Sequence, residues 1–466
     1  MATTEYLEED QKRLFPRIRS RDDIEDGRLG LAFEEPGTVS DWCRPGLALG
    51  DHLVAELVLQ QKWEAPDNEL DGAIVSVGHE ELKSWEVTFE DAFSDSLNNL
   101  SKKTTGKCEE LKPGLYSCNL GDYHDNARIL LPDLFSDIKL DGDPVVVVPN
   151  RDVFLVTGSE NVEGLRMLDH LAWCQYEENY YISPVSLIRR NNAWQTYAPT
   201  DRPDLAMIAG TKKMWYSQIY LEKREALAVA FPGFVIPFYC TASAEGDDEV
   251  TSFSVIHADR PTLAANSDVV IFVEDRAKLL GVLGFEQAKE VLGDTLQQYP
   301  GIWPTRYRFS GKLSDIPLRK ICTAPIDEWC AHVVKKIILP KIAKEAKEVF
   351  VASNSFWGDE EEEGDRILCY LTARSLGEVR STMKRVFADV LEEHRDSPPA
   401  SVQMYLNLLD DSKDKAKKLC LKQRDAFRKQ LAKQKLATEV TVGLIEDAMA
   451  TEAHSPTNAR PQDDGP

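Results

Sequence analysis

The densest group of potentially reactive side chains in the sequence lies between Gly121 and Arg128. Asp122, His124 and Asp125 are residue types that bind hard or borderline metal ions, and a helix start beside them would attract an anion. The alternative role is structural. Asp125 would then be the N-cap of a helix over residues 126–137, and Arg128 would pair with Asp125 or Asp122. The structural role is our expectation, because one polar motif is weak evidence for a site.

A second polar pair, Arg151-Asp152, interrupts two apolar stretches. In a functional role, Arg151 binds a carboxylate or phosphate and Asp152 orients it. In the role that we favour, the pair forms a turn in which Asp152 bonds local backbone amides. Because consecutive elements are usually neighbours, we predict that Asp122, Asp125, Arg128, Arg151 and Asp152 share one polar binding site.

Established catalytic motifs are absent from the sequence. It contains no G-x-S-x-G nucleophile elbow and no glycine-rich phosphate loop. His79-Glu80 begins like a zinc-protease motif, but Lys83 stands where the second His is required. We therefore predict no cofactor, no metal and no catalytic residue. The leading hypothesis is a non-catalytic binding or adaptor protein. The alternative is a hydrolase or transferase that uses the Asp and Arg side chains, with or without a divalent metal.

The composition limits the classes of binding partner and the cellular compartment that we expect for this protein. The 55 Lys and Arg and 78 Asp and Glu residues give a formal charge of −23, which repels phosphate backbones and anionic lipids. Nucleic acid and membrane partners are not expected, a protein partner is, and a small-molecule ligand stays open. The acidic start lacks a signal-peptide pattern. The nine cysteines contain no C-x-x-C pair, which is typical of reduced thiols. These features predict a cytoplasmic protein.

The order of elements predicts an α+β fold. Thr88 and Asp91 are spaced as a capping box before a helix with Phe89 and Phe93 on one face. Two hairpins follow, one with strands near 144–149 and 152–157, and the other from Tyr180 to Tyr197. A connection as short as Asn150-Arg151 permits only an antiparallel pair.

The predicted organisation is two small, mostly antiparallel sheets with covering helices, followed by a mainly helical C-terminal region. The C-terminal helices include residues 402–410 and 440–450. The predicted segments are a charged N-terminal lead-in over 1–26, an α+β module over 27–205, a second α+β module over 206–325, a helical region over 326–452 and a disordered tail over 453–466.

A basic stretch from Lys413 to Lys435 has two interpretations. A polyanion-binding helix is one. We favour the other, an amphipathic helix that buries Leu419, Phe427 and Leu431 while its basic side is solvated or faces the acidic run Asp359–Glu363.

Residues 85–200 resemble the bacterial family catalogued as domain of unknown function 1444. The first match is to the family pattern D-G-Y-D-A-S-R-[IL]-L, in which Tyr123 takes the Gly position, His124 the Tyr position and Ala127 the Ser position. Two more matches are to V-P-x-[QR]-D-x-L and to a later P-[IL]-[ST] strand. The matching residues are Asp122, Asp125, Arg128, Ile129 and Leu130, then Val148 to Leu155, then Tyr181 to Leu187. The resemblance covers about a quarter of the chain and implies no established activity.

Overall fold

A computed structural model describes most of the chain. The described residues are 10–33, 37–39, 44–62, 71–131, 133–176, 181–244, 248–274, 278–310, 328–345, 350–356, 366–373, 376, 379–393, 399, 401–408, 413–434 and 438–444.

The strands in this part of the chain are β1 (Leu14–Ser20), β2 (Gly46–Leu49), β3 (Leu53–Lys62), β4 (Asp71–Ser76), β5 (Glu109–Lys112), β6 (Leu115–Cys118), β7 (Pro144–Asn150), β8 (Val153–Gly158), β9 (Leu187–Arg190), β10 (Ala193–Thr196), β11 (Cys240–Ala242), β12 (Thr251–His257), β13 (Thr262–Ala265), β14 (Val269–Glu274), β15 (Lys278–Gly284), β16 (Leu296–Tyr299), β17 (Arg306–Phe309), β18 (Phe350–Phe356), β19 (Arg366–Ala373), β20 (Ser401–Leu408) and β21 (Glu439–Leu444).

The α-helices of the described residues are α1 (Arg21–Gly30), α2 (His79–Ser84), α3 (Phe89–Lys103), α4 (Val162–Tyr176), α5 (Ala206–Glu222), α6 (Arg224–Ala230), α7 (Phe285–Leu292), α8 (Glu328–Val333), α9 (Leu339–Glu345), α10 (Val379–Glu393) and α11 (Lys413–Gln434). None of them is both long enough and apolar enough to cross a lipid bilayer. The α+β class predicted from the sequence is confirmed.

Packing divides the chain into two compact units. The first comprises residues 1–25, 42–218 and 241–251, and the second comprises 26–41, 219–240 and 252–466. The domain boundaries expected near residues 205 and 325 stay predictions.

Two antiparallel sheets form the first unit. Strand β3 pairs with β1, β2 and β4, and a six-stranded sheet has the order β10-β9-β7-β8-β6-β5. In β7, Val146 and Val148 pack into the main core of the unit, while Val145 and Val147 belong to clusters that also contain α4 residues. Burial of both faces explains why β7 is an unbroken run of β-branched residues rather than an alternating one.

Both predicted hairpins in this sheet are antiparallel, as expected. Strands β7 and β8 pair from Pro144 to Asn150, so Arg151-Asp152 forms the tip. Strands β9 and β10 are joined by Asn191 and Asn192, whose φ angles of 50° and 61° suit the tight turn of a two-residue hairpin.

The lead-in expected over residues 1–26 is wrong for its described part, because Leu14–Ser20 is strand β1. Leu14 and Ile18 lie on its core face, and Arg17 and Arg19 alternate with them. Pro16 is compatible with this strand because β1 is an edge strand of its sheet, where a missing N–H costs little. The alternation is short and includes charged residues, so the sequence pattern does not predict a strand here.

The N-cap of α3 has the predicted residues. The Thr88 hydroxyl oxygen accepts a hydrogen bond of 3.1 Å from the backbone N–H of Asp91. We expect Thr88→Ala to lower the free energy of unfolding by about 1 kcal/mol, because one first-turn amide loses its acceptor. Thr88→Ser keeps the acceptor and is the control. Urea denaturation of the three proteins measures the difference, and equal midpoints for Ala and Ser would contradict the assignment.

The second unit combines parallel and antiparallel pairs. Strand β14 is parallel to β12 and antiparallel to β15, and β17 lies between β13 and β16. Helix α7 ends at Leu292, because Gly293 has a φ of 50°, which favours glycine and terminates helices. Strand β16 follows it.

The mainly helical C-terminal region is confirmed in part, because α8 to α11 lie in it but two segments predicted to be helical are strands. Residues 401–408 and 439–444, expected to be helical, are strands of a sheet with the order β18-β19-β20-β21, in which β19, β20 and β21 are parallel. Helices α10 and α11 connect the parallel strands, as such crossovers require. Their Phe387 and Phe427 rings stack with centroids 4.1 Å apart.

The basic stretch does form a helix, α11, in which Phe427 and Leu431 are buried as expected, whereas Leu419 is only partly buried. The acidic run Asp359–Glu363, residues 445–450 of the last predicted helix and the tail over 453–466 lie outside the described residues.

Candidate functional site

The loop between β6 and a 3₁₀ turn at Asn126–Leu130 carries the first group of predicted site residues. Its backbone enters the left-handed region twice, at Gly121 with a φ of 73° and at Tyr123 with a φ of 64°. Glycine adopts that conformation freely, whereas a side chain makes it costly. Tyr123 is 53% exposed, so burial of its ring offsets only part of that cost.

Arg128 forms the centre of this loop. Its Nη1 donates to Asp122 Oδ1 and Asp125 Oδ1, each at 2.8 Å, and its Nη2 donates to Asp122 Oδ2 at 2.6 Å. Its Nε donates to the Thr104 hydroxyl at 3.1 Å. The guanidinium is completely buried and its donors face protein acceptors, so it holds the loop rather than a ligand.

Asp125 accepts from the backbone as well. The N–H of Leu120 donates to Oδ1 at 2.6 Å and the N–H of Gly121 donates to Oδ2 at 3.0 Å. Both amides precede Asp125, and its side chain accepts no backbone N–H of the 3₁₀ turn that follows. The N-cap assignment is therefore wrong, and Asp125 closes the preceding loop instead.

The helix expected over 126–137 is also wrong, since only Asn126–Leu130 forms a helical turn. Leu131 has the extended backbone angles φ −75° and ψ 122°. Pro132 follows it in the sequence, and a residue before proline is driven out of the helical region.

The pKa of Asp122 supports a structural role for this loop. Burial would raise the pKa of the Asp122 carboxyl, but the hydrogen bonds and the charge of Arg128 outweigh it, so that pKa lies below its usual value. Asp122 is thereby held as an anion against Arg128. Within the described residues, no group of three or more His, Cys, Asp or Glu side chains could hold a metal ion.

The hairpin tip meets this loop. The Arg151 guanidinium lies over the Tyr123 ring, 4.9 Å from its centroid, and its Nε donates to Asp152 Oδ1 at 2.9 Å. The Asp152 N–H donates to the Asn150 side chain at 3.0 Å, which is a local turn bond. Tyr123 thus brings Arg151 and Asp152 beside the loop of Asp122, Asp125 and Arg128.

Arg17 was missed by sequence reasoning. On β1 it lies opposite Glu56 in the register with β3. Burial and the nearby charges of Arg19 and Arg151 hold the pKa of the Arg17 guanidinium below its ordinary value. The Arg17 guanidinium donates no hydrogen bond to the residues that the structure describes. Glu56 and Asp23 offset part of this effect, and an additional anion beside Arg17 and Arg151 would offset more of it.

A second polar group was also missed. Asp51 accepts from the Thr196 hydroxyl and, at 2.6 Å, from Lys212 Nζ. His52 Nδ1 lies 3.2 Å from Asp51 Oδ1, and its Nε2 lies 3.1 Å from the Val185 carbonyl oxygen. Although the residue types suggest a catalytic triad, His52 is fully buried and both its ring nitrogens have partners. This group connects distant segments of the first unit.

Comparison with protein-family models, with curated proteins and with solved structures finds no match for this chain.

Proposed function

We propose that this chain is a non-catalytic cytoplasmic binding protein that docks a segment of a partner protein on the surface formed by Arg17, Tyr123, Arg151 and Tyr181. We call this surface the Tyr123 patch. The observation that supports it best is Tyr123 itself. Backbone strain at an exposed side chain is unfavourable for folding, and such strain is concentrated at functional sites.

The composition of the patch is that of a protein interface. Tyr and Arg are enriched among the residues that contribute most to protein–protein binding. Tyr181 is 56% exposed and its backbone bridges to Asn150, next to Arg151. Tyr123 contacts the Arg151 guanidinium directly and Tyr181 lies near it in the backbone, so both exposed rings would bury apolar area when a partner covers them.

The positive charges of Arg17 and Arg151 indicate which chemical group the partner segment carries. Arg17 and Arg151 are close enough for each charge to affect the other, and a carboxylate between them would relieve the repulsion. A phosphate-rich nucleic acid is a poor alternative, because the chain's formal charge is −23 and a long polyanion would experience all of it. We therefore propose a peptide segment with one acidic residue beside an aromatic or apolar one.

The alternative of a hydrolase or transferase needs a carboxylate that can reach a substrate. Asp125 is fully buried and shared between Arg128 and two backbone amides. Both Asp122 oxygens accept from Arg128. This closed arrangement favours the binding proposal.

The relationship to the family of domain of unknown function 1444 remains part of the proposal. The family pattern has glycine where this chain has Tyr123, and the backbone there adopts a conformation that favours glycine. We infer that the family shares this loop and that the tyrosine is an addition that serves binding in this chain.

To test this proposal, a random displayed peptide library is screened for binding to the full chain. The affinity of each selected peptide is then measured for the wild-type chain and for its variants. We expect the enriched peptides to share an acidic residue, and we expect Arg17→Glu and Tyr123→Gly each to weaken them about tenfold, equivalent to about 1.4 kcal/mol. Tyr123→Gly should meanwhile raise stability by about 1 kcal/mol, because it removes the left-handed strain.

The matched control is Arg190→Glu, which reverses a charge on β9 that pairs with Asp143. It should leave peptide affinity unchanged. Enriched peptides without an acidic residue, or equal affinity for all variants, would refute the proposal.

A further inference from the structure

A cavity of about 840 Å³ adjoins the β5–β6 hairpin. Side chains from α3, from the segment before β5 and from residues 131–139 line it, among them Ser101, Thr105, Cys108 and Leu134. Its lining mixes polar and apolar groups, and its volume is that of a small-molecule site. The polar loop around Arg128 does not open into it.

The hairpin brings two cysteines together at this cavity. Glu109 pairs with Ser117 in the antiparallel register of β5 and β6, so the next position places Cys108 opposite Cys118. Directly opposed residues have Cα atoms about 4.5–5.5 Å apart, within the range of about 4.4–6.8 Å that a disulfide spans. Each of the two thiols shifts the pKa of the other, and both are free thiols.

The two thiols differ in accessibility. Cys108 is partly exposed and lines the cavity, whereas Cys118 is buried in the core of the first unit. A reagent in the cavity therefore meets Cys108 first, and Cys118 can follow only from within the hairpin.

The two thiols also differ in pKa, and the more accessible one, Cys108, has the lower pKa. The hydrogen bond from Cys118, together with the positive charge of Arg128, lowers the pKa of the Cys108 thiol. The hydrogen bond to Cys108 and burial raise the pKa of the Cys118 thiol. Because the thiolate is the attacking species, Cys108 is the nucleophile of the pair.

We propose that Cys108 and Cys118 form a reversible thiol–disulfide site, oxidised by a small-molecule disulfide that enters through the cavity. The site is independent of the Tyr123 patch, since it uses neither its residues nor its ligand.

The reaction has two exchange steps. The Cys108 thiolate attacks one sulfur of the small disulfide, the S–S bond breaks, and one small thiolate leaves and takes up a proton. The Cys118 sulfur, losing its proton to solvent, then attacks Cys108 Sγ in the mixed disulfide and displaces the second small thiol. Overall, two protein thiols are oxidised to one disulfide, and the small disulfide is reduced to two thiols.

The experiment treats the full reduced chain with oxidised glutathione, blocks the remaining thiols and maps linked peptides by mass spectrometry. We expect a Cys108–Cys118 link in the wild-type chain and its loss on adding dithiothreitol. In Cys118→Ala, a glutathione adduct should remain on Cys108, because no second thiol displaces it. In Cys108→Ser, Cys118 should carry no adduct.

Cys174→Ser is the matched control, since Cys174 is an exposed single cysteine, and it should leave the link intact. The proposal is overturned if Cys174 carries glutathione in the wild-type chain while residues 108 and 118 stay unlinked. A persistent adduct on Cys108 of the wild-type chain would overturn it as well, because Cys118 would then not resolve it.

Discussion

Asp125→Asn is expected to lower the free energy of unfolding by about 1–3 kcal/mol, the usual cost of leaving a buried hydrogen-bonding group unsatisfied. Arg128 is completely buried beside Asp125. The neutral amide would leave its charge facing Asp122 alone.

Geometry makes asparagine a poor substitute for this aspartate. Both Asp125 oxygens accept, one from Leu120 N–H and Arg128 and the other from Gly121 N–H. An amide has one oxygen, so its NH₂ group must point at one of these donors. We therefore expect Asp125→Asn to cost nearly as much as Asp125→Ala. If Asp125 were only a helix cap, asparagine would serve almost as well.

Chemical denaturation of the two variants measures the effect. Asp137→Asn is the control, because Asp137 is a mostly exposed carboxylate paired with Lys107 and such surface pairs contribute less than about 1 kcal/mol. An Asp125→Asn protein within about 1 kcal/mol of the wild type would show that the network does not hold the loop.

Asp169 is expected to make the protein less stable as the pH rises from about 4 to 7. It is a buried residue of α4. Its Oδ1 has no hydrogen-bond partner in the part of the chain that the structure describes. Burial raises the pKa of the Asp169 carboxyl from 3.8 to about 7.

The direction follows from proton binding. The folded state holds the Asp169 proton more tightly than the unfolded chain does, so stability from this group is complete below the unfolded pKa of 3.8 and is lost as the pH rises through the folded pKa of about 7. The pKa difference corresponds to about 4 kcal/mol across that window.

Asp169→Asn removes the titration. We expect the difference in free energy of unfolding between the variant and the wild type to shift by about 4 kcal/mol in favour of the variant between pH 4 and pH 8. Denaturation at a series of pH values measures it. Glu163→Gln, an exposed change on the same helix, is the control and should leave the pH profile in place. A pH-independent difference for Asp169→Asn would mean that Asp169 is ionised throughout.

The sequence predicted correctly those elements whose formation depends on residues close together in the chain. The β7–β8 hairpin follows from a run of β-branched residues and a connection too short for any parallel pairing. The Thr88 cap and helix α11 follow from contacts within one or two turns. Each of these depends on residues that are close in sequence.

Strands β20 and β21 show the limit of this reasoning. Residues 401–408 alternate between buried and less buried positions, but short apolar stretches also fit a helix. These residues form strands because β20 pairs with β19 and β21 pairs with β20. Parallel partners are separated by a whole helix, so the pairing has no local signal.

The features of the candidate sites also fall into two groups, those that the sequence predicts and those that depend on tertiary packing. The sequence alone determined that Asp122, Asp125 and Arg128 form one polar loop, that Arg151-Asp152 turns a hairpin, and that the chain is acidic and α+β. Only the tertiary structure decided that Asp125 bonds backward to Leu120 and Gly121, that Arg17 lies near Arg151, and that Cys108 faces Cys118. The physical reason is that sequence patterns report turns and faces within a segment, whereas burial, the direction of a hydrogen bond and the crowding of charges depend on which segments pack together.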